Sequence, residues 1–328
     1  MTQPTPTDYL AAREGAVFYR PPDPGFLLVA GEDRLDFLQR QTTNDLRLLG
    51  PGLSLRTVLT SPTARILDVL MLVEWGQALA AITLAGRGPL SGRELRGKIF
   101  FMDRVTVSDA SASVEQAELD GPAAGETLRR LGLAAPPGRD ETAVFDLNGA
   151  RVQVIARPGL CGPGYRLLAT GERPEAWPAV LAAVGALPLA AATTQVLRIE
   201  AGLPGPEGEL TDAYNPLEVG LDELISERKG CYTGQEIIAR QISYDKVTRR
   251  LVGLRLGAPA MLGASLMVED RQVGEITSAA VSPRLGPIAL AVVKRPYNNA
   301  GALLSALTPG GAIAATVIPL PFSPPSNH

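Results

Sequence analysis

The chain has 328 residues, more than one hydrophobic core usually organises, so its length predicts two or three domains. Apolar residues make up 45% and charged residues 20% of the chain, which is the composition of an ordinary soluble globular protein. The formal net charge of −3 indicates no basic surface for nucleic acid or anionic lipid. We therefore expect neither nucleic acid nor membrane as a direct partner.

The counts of histidine and cysteine exclude several kinds of site. His328 is the only histidine, which argues against a Ser-His-Asp or Cys-His catalytic group and against a histidine-bound zinc or haem. Cys161 and Cys231 cannot supply the four thiolates of an ordinary iron–sulfur cluster, and they form no disulfide framework. Residues 1–15 lack the basic and apolar regions of a secretory signal. These observations predict no metal site and a cytoplasmic location.

The first part of the chain predicts two α+β units in succession. Apolar spacing in the first unit predicts strands at 26–30, 54–59, 66–75, 78–85 and 103–108, with helices at 34–40 and 89–98. A similar order recurs, with strands at 113–119, 150–156 and 165–169, helices at 123–131 and 175–184, and a surface loop at 135–139. This order is typical of split βαβ units, in which helices cover one face of a sheet.

Beyond residue 245, short β-rich runs separated by Gly and Pro predict a small antiparallel barrel or sandwich. These runs lie at 251–256, 265–268, 272–277, 288–293 and 312–317. The predicted domains are an N-terminal α+β domain built from 1–112 and 190–245, a ferredoxin-like domain at 113–189, a barrel at 246–320 and a disordered tail at 321–328.

The most informative stretch is residues 229–236, which reads Lys-Gly-Cys-Tyr-Thr-Gly-Gln-Glu. Thr233 and Glu236 have the spacing of a capping box, so we expect a helix to begin there, with Cys231 just outside its N-terminus. The N–H groups of that terminus and the neighbouring Lys229 would favour a thiolate and lower the pKa of the thiol. The alternative is a small apolar residue in a turn. The residues alone leave both readings open.

This motif resembles the signature of the YgfZ-type folate-binding proteins, relatives of the glycine-cleavage aminomethyltransferase that act in iron–sulfur protein maintenance. Other segments resemble the N-terminal, central and barrel parts of the same superfamily, namely 37–45, 197–202 with 215–221, and 274–278 with 282–283. The resemblance implies an α+β fold of the GcvT type. Two intertwined ferredoxin-like units and a C-terminal antiparallel β-barrel would form a ring around a central tetrahydrofolate site.

The resemblance also implies roles for individual residues. Cys231 would be the working thiol with Lys229 beside it, and Tyr232 would contact the folate. Glu200 lies in a Leu-Arg-x-Glu-Ala-Gly segment whose glutamate binds the pterin in this superfamily. A carboxylate suits that role because the 2-amino and ring N–H groups of a pterin are adjacent donors. The alternative for Glu200 is a carboxylate paired with Arg198 or another arginine.

Asp68 matches an aspartate that aminomethyltransferases present to the reactive nitrogens of tetrahydrofolate. That stretch usually reads Gly-Gly-Ile-x-Asp-Asp, and here Arg65 and Val69 replace a glycine and the second aspartate. The alternative for Asp68 is a solvated residue on the polar face of a strand. Cys161, in a loop with no neighbouring cation, is predicted to be structural.

Three functions follow from this reading. The first is a cytosolic tetrahydrofolate-binding protein that supports assembly or repair of iron–sulfur enzymes, including a tRNA-modifying methylthiolase, as transient partners. The second is an aminomethyltransferase of glycine cleavage, which Asp68 favours and the cysteine motif opposes. The third is a thiol-bearing scaffold that has lost its ligand.

Overall fold

The computed structural model describes residues 6–170 and 177–322. In chain order these residues form α1 (Pro6–Glu14), β1 (Val17–Tyr19), β2 (Phe26–Ala30), α2 (Arg34–Gln41), β3 (Ser54–Thr60), β4 (Ile66–Trp75), β5 (Ala78–Ile82), α3 (Gly88–Arg96), β6 (Thr106–Asp109), β7 (Glu115–Asp120), α4 (Ala124–Arg130), β8 (Thr142–Leu147), β9 (Ala150–Arg157), β10 (Gly164–Thr170), α5 (Trp177–Ala183), β11 (Leu187–Pro188), α6 (Ala191–Glu200), α7 (Gln235–Ser243), β12 (Arg249–Leu256), β13 (Ser265–Val268), β14 (Arg271–Ser282), β15 (Gly286–Lys294), β16 (Leu303–Thr308) and β17 (Gly311–Ile318).

The first sheet has five antiparallel strands in the order β3-β4-β5-β2-β6. Its core includes Leu27, Phe37, Leu70 and Leu95, which are fully buried and come from two of the five strands and from both helices of this unit. The apolar residues of α2 and α3 recur at helical spacing, so each helix places one apolar side on the sheet. The predicted elements of this unit are confirmed, and β4 occupies the predicted residues.

The second sheet takes a strand from the start of the chain. Its order is β11-β1-β7-β10-β9-β8. Val17 of β1 pairs with Asp120 of β7 in an antiparallel register and with Leu187 of β11 in a parallel one. Residues 17–19 lie within the predicted first domain but pair with the second sheet, so the boundary at 112 separates the units less cleanly than expected. The helix expected at 175–184 begins outside the described residues, and α5 covers the rest of it.

The C-terminal region is a closed barrel of six strands in the order β12-β15-β14-β13-β16-β17. Its interior is filled by small and branched side chains, among them Leu254, Ile276, Ala291 and Val293. The five β-rich runs predicted for this region all form strands of the barrel, and β16 is a sixth strand that lies outside those runs. Closure leaves the barrel without a free edge, so its surface offers no strand to a partner.

A separate core joins α1, α6 and the barrel. Tyr9, Leu197 and Leu290 are buried in it, one from each of these parts. Phe322 packs against the same core, and its amide donates a 2.9 Å hydrogen bond to the carbonyl of Glu200. The disordered tail predicted at 321–328 therefore does not begin at residue 321. Residues 323–328 of the predicted tail lie outside the described residues. Within the described ranges, no helix has the length and apolar character to cross a membrane.

Candidate functional site

Lys229, the first residue of the cysteine motif, is directed into the protein. Only 5% of its surface is exposed, and its Nζ donates 2.6 Å hydrogen bonds to the carbonyls of Thr42 and Asn44, at the end of α2. The ammonium also lies 5.1 Å from the ring centroid of Tyr232. Burial lowers the pKa of Lys229 to about 8. Lys229 therefore fastens the motif to α2.

The activating role that the sequence predicts for Lys229 at Cys231 stays a prediction, and the contacts of its ammonium give it no support. Cys231 is exposed, as is Gly230, whereas Lys229 and Tyr232 on either side are buried. The motif thus presents its thiol to solvent between two anchored residues. The Lys229 ammonium, which the sequence places two residues from the thiol, donates its hydrogen bonds to backbone carbonyls instead.

The predicted capping box is wrong. Helix α7 begins at Gln235, and Gly234 is its N-cap with φ 84° and no side-chain cap. The Thr233 hydroxyl donates to Oε1 of Gln41 at 3.2 Å, and Glu236 pairs with Arg240 on the helix surface. Gly234 turns so close to the first unit that a Cβ would lie 2.8 Å from the carbonyl oxygen of Ser61. The helix therefore begins four residues beyond Cys231.

Tyr232 closes a small apolar cluster beneath the motif. Its ring packs with Ala64, Leu217, Ile238 and Val247. Burial raises the pKa of Tyr232 to about 12, so the phenol remains protonated at neutral pH. Tyr232 also lines a shallow surface cleft of about 110 Å³ beside α7. Its role as a folate contact stays a prediction.

Asp68 is a buried carboxyl near the start of β4, the second strand of the first sheet. It has no exposed surface, and it accepts hydrogen bonds from the amides of Val69 and Leu84, at 2.8 and 3.0 Å, and from the Ser91 hydroxyl at 2.5 Å. The alternative of a solvated residue on a polar strand face is therefore wrong. Burial raises its pKa to about 6, although the three hydrogen bonds act in the opposite direction. A carboxyl with this pKa can hold or release a proton near neutral pH.

Glu200 ends α6 in a buried cluster of polar side chains. The Tyr9 hydroxyl lies 2.7 Å from one carboxylate oxygen and 2.9 Å from the other. The Ser282 hydroxyl donates to Oε1 at 2.5 Å, and Arg13 lies 3.3 Å from Oε2. An arginine does pair with Glu200, as the alternative reading held, but Arg198 is not that arginine.

Arg198 instead meets a carboxylate that the sequence analysis missed. Its Nη1 lies 3.4 Å from Oε2 of Glu209, which also accepts a 2.8 Å hydrogen bond from the amide of Gly205. Glu209 has no exposed surface, and its Oε1 has no partner among the described residues. Glu209 lies in a Pro-Glu-Gly-Glu loop whose composition is typical of solvated turns. No sequence signal therefore indicates that its carboxylate is buried.

A network of buried ion pairs lies between the two sheets. Arg157 contacts Glu118 and Asp120, and Arg166 donates to Glu118 at 2.6 Å. Ile155, which pairs with Arg166 across the strands, packs with residues of the first sheet in one apolar cluster. The alternation of polar and apolar residues in β7 is typical of a half-exposed strand, so no sequence pattern indicates that its polar face is buried as well.

Cys161 donates a hydrogen bond from its Sγ to the carbonyl of Ala12 at 2.8 Å. Burial raises the pKa of this thiol to about 12. A thiol held in that way is a poor nucleophile at neutral pH. These contacts support the structural role predicted for Cys161.

Two family models match the chain. The GCVT N-terminal domain matches residues 7–229, and the glycine cleavage T-protein C-terminal barrel domain matches residues 249–323. The chain therefore belongs to the GcvT family, in agreement with its α+β domain and its closed antiparallel barrel.

Individual relatives are similar over nearly the whole chain. A protein of Arabidopsis thaliana, provisionally named a chloroplastic transferase, is 33% identical over 93% of this chain and 71% of its own length. The aminomethyltransferase of Geobacillus kaustophilus is 31% identical over 91% of this chain and 84% of its own. The crystal structure of aminomethyltransferase T from Bartonella henselae superposes with a TM-score of 0.83 at 23% identity, covering 98% of this chain and 91% of that one. That last similarity concerns the fold.

Proposed function

We propose that the protein binds a reduced folate, such as tetrahydrofolate, and that Glu200 holds its pterin ring. The observation that carries this proposal is the buried carboxylate of Glu200. Both of its oxygens lie within hydrogen-bonding distance of one donor, the hydroxyl of Tyr9. The 2-amino and ring N–H groups of a pterin are two adjacent donors, and they match two carboxylate oxygens better than one hydroxyl does. Membership of the GcvT family and the names of the relatives support the same class of ligand.

The chain's own residues fit this ligand in their chemistry. Glu200 would exchange the Tyr9 hydroxyl for the pterin donors, while Ser282 and Arg13 keep the carboxylate in place. Asp68 would hold a proton near neutral pH, with Ser91 fixing its orientation. A bound tetrahydrofolate would supply nitrogens that carry a one-carbon unit.

We further propose that Cys231 is the working thiol of a YgfZ-type protein that supports assembly or repair of iron–sulfur enzymes in the cytoplasm. The supporting observation is that the motif exposes the thiol while Lys229 and Tyr232 hold the backbone on both sides of it. Such a thiol is accessible to a partner protein without any rearrangement of the chain. The iron–sulfur enzymes themselves enter from the resemblance of residues 229–236 to the YgfZ signature.

Aminomethyl transfer is the second candidate. It is favoured by relatives named aminomethyltransferase and by the presence of Asp68, whose pKa of about 6 suits proton transfer. Against it, Arg65 and Val69 depart from the transferase stretch. A scaffold without ligand is the third possibility.

Calorimetry with tetrahydrofolate tests the shared part of these proposals. Wild type should bind, and Glu200→Gln should weaken binding about tenfold or more, because charge-assisted hydrogen bonds contribute about 1.5–3 kcal/mol. Glu223→Gln, which changes a half-exposed carboxylate paired with Arg56 and Arg139, is the matched control. Failure of wild type to bind any reduced folate would favour the scaffold.

A rescue assay separates the two activities. A host lacking its own homologue receives wild type, Cys231→Ala or Cys161→Ala, and the activity of a [4Fe–4S]-dependent methylthiolase is measured. Rescue by wild type and by Cys161→Ala, but not by Cys231→Ala, is the expected result. If wild type does not rescue but forms methylene-tetrahydrofolate from an aminomethyl-loaded carrier protein, the protein is an aminomethyltransferase.

A further inference from the structure

The carboxylate of Glu200 is closed to solvent by the chain itself. Only 4% of the residue is exposed. Its oxygens are contacted by Tyr9 and Arg13 of α1 and by Ser282 at the end of β14. A third segment contacts its backbone, where the amide of Phe322 donates to its carbonyl at 2.9 Å. A ligand can therefore reach this carboxylate only after one of these parts has moved.

The turn between β14 and β15 is the part least free to move. Ser282 pairs with Gly286 across the hairpin, and its hydroxyl accepts a 3.1 Å hydrogen bond from the amide of Arg284. Both strands belong to the closed barrel, so this turn cannot swing away without breaking the sheet. Phe322 bonds the main chain of Glu200, so its departure would not free a carboxylate oxygen. Access to the carboxylate therefore depends on α1.

The last turn of α1 is fastened to the second α+β unit. The Cys161 thiol donates to the carbonyl of Ala12 at 2.8 Å, and the amide of Ala123 donates to the carbonyl of Gly15 at 3.0 Å. Gly121 approaches so closely that a Cβ there would lie 2.4 Å from the Gly15 carbonyl oxygen. Strand β1, which follows at once, is paired within the second sheet. The end of α1 is therefore a fixed point.

The first half of α1 is anchored by Tyr9. Thr7 and Leu10 are exposed and Asp8 is half-buried, whereas Tyr9 places its ring in the core shared with α6 and the barrel. The helix has nine residues, and helices of that length owe their stability to packing rather than to their own hydrogen bonds. When the ring leaves its core, the first turn loses this packing and can unwind.

We propose that residues 6–10 are a lid over the folate carboxylate, hinged at the last turn of α1. In the closed state Tyr9 occupies Glu200. In the open state the first turn is unwound, and the pterin donors take the place of the Tyr9 hydroxyl. Arg13 lies on the fixed side of the hinge and stays with the carboxylate. The lid rests on the folate binding proposed above and adds its regulation, because the apparent dissociation constant is the intrinsic one divided by the fraction of open molecules.

Hydrogen exchange with mass spectrometry on the full-length chain tests the lid, with tetrahydrofolate as the ligand under reducing conditions. In an α-helix the amides of Leu10 and Ala11 bond to carbonyls four residues earlier, so an open lid exposes them to solvent. Saturating tetrahydrofolate should raise the exchange rate of these amides about tenfold or more, because their protection requires the closed helix. The amides of α4 should keep their rate. Unchanged or slower exchange in α1 with folate bound overturns the lid.

Leu10→Gly and Leu10→Ala form a matched pair of variants. Both remove the same 53% exposed side chain, and the glycine also weakens the helix. In calorimetry Leu10→Gly should bind tetrahydrofolate about fivefold more tightly than Leu10→Ala, because glycine raises the open fraction by about that factor. A helix with a purely structural role would give the opposite order. Equal binding, or weaker binding by Leu10→Gly when thermal unfolding shows both variants folded, overturns the lid.

The lid and the proposed function fail in different ways. Tetrahydrofolate that binds while α1 stays protected removes the lid and leaves folate binding in place. No binding by wild type, by Leu10→Gly or by Tyr9→Phe defeats folate binding, and the lid with it. Binding by Leu10→Gly but not by wild type supports both, because it means that the closed lid excludes the ligand in the unaltered chain.

Discussion

The hydroxyl of Tyr9 lies within hydrogen-bonding distance of both carboxylate oxygens of Glu200, at 2.7 and 2.9 Å. The two residues are 191 positions apart in the chain. Burial and the neighbouring carboxylate both raise the pKa of this phenol, so at neutral pH it is a hydrogen-bond donor. Helix α1 thereby places a single donor where a pterin would place two. Under the proposed function, Tyr9 would compete with the pterin for Glu200.

Tyr9→Phe should therefore bind tetrahydrofolate several-fold more tightly than wild type, because no hydroxyl has to be displaced. The same change should lower the free energy of unfolding by about 1–3 kcal/mol, since it removes a donor to a buried carboxylate. Calorimetry and urea unfolding measure the two effects. Tyr165→Phe, a buried tyrosine of the second core, is the control for ring burial without a carboxylate partner. Weaker folate binding by Tyr9→Phe would mean that the hydroxyl assists the ligand.

Asp68 should make wild type less stable as pH rises. Its pKa is raised from 3.8 to about 6 on folding, so between these values the folded protein holds the proton more tightly than the unfolded chain. The contribution of Asp68 to the free energy of unfolding therefore falls as pH rises through this window, by at most about 3 kcal/mol, and is level above it. Asp68→Asn removes the titration, so its stability relative to wild type should rise from about pH 4 to about pH 6. Urea unfolding across this range measures the difference, and a constant difference would show that Asp68 titrates as it does in the unfolded chain.

The sequence predicted the elements better than the directions of the polar side chains. Alternation and helical spacing located β4 and α2 because each has one apolar side facing a core. Strand β1 has three residues, too few for a period to be visible, yet it joins the second sheet to the start of the chain.

Within the candidate site, a local motif identified Glu200 but none of its partners. Tyr9 and Ser282 are 191 and 82 residues away from it, and only the packing of α1 and the barrel against α6 brings them together. Lys229 shows the opposite difficulty. It is two residues from Cys231, but neighbours in a loop need not share a direction, and the carbonyls at the end of α2 bind its ammonium.

Cys231 should consequently react independently of Lys229. In a Cys161→Ala background, Lys229→Met should change the rate of Cys231 with a disulfide reagent by less than about threefold near neutral pH, because the ammonium is buried and bound by the carbonyls of Thr42 and Asn44. Stopped-flow absorbance with such a reagent measures the rate. Thermal unfolding is the necessary companion, since the variant leaves the Thr42 and Asn44 carbonyls without their donor. A tenfold slower reaction in a folded variant would restore the activating role of Lys229.

Gly234 is the position where backbone geometry fixes the cysteine motif. Its φ is 84°, which L side chains rarely adopt, and a Cβ would lie 2.8 Å from the carbonyl oxygen of Ser61. Gly234→Ala should therefore lower the free energy of unfolding by about 1–3 kcal/mol or displace the loop from the first unit. Gly230→Ala is a close control, because Gly230 is exposed in the same motif and its Cβ would meet nothing within 4 Å. Urea unfolding should show that variant within about 0.5 kcal/mol of wild type. If the two variants lose the same stability, the motif is held by its side chains alone, through Lys229 and Tyr232, and the tight turn at Gly234 is incidental to the exposure of the thiol.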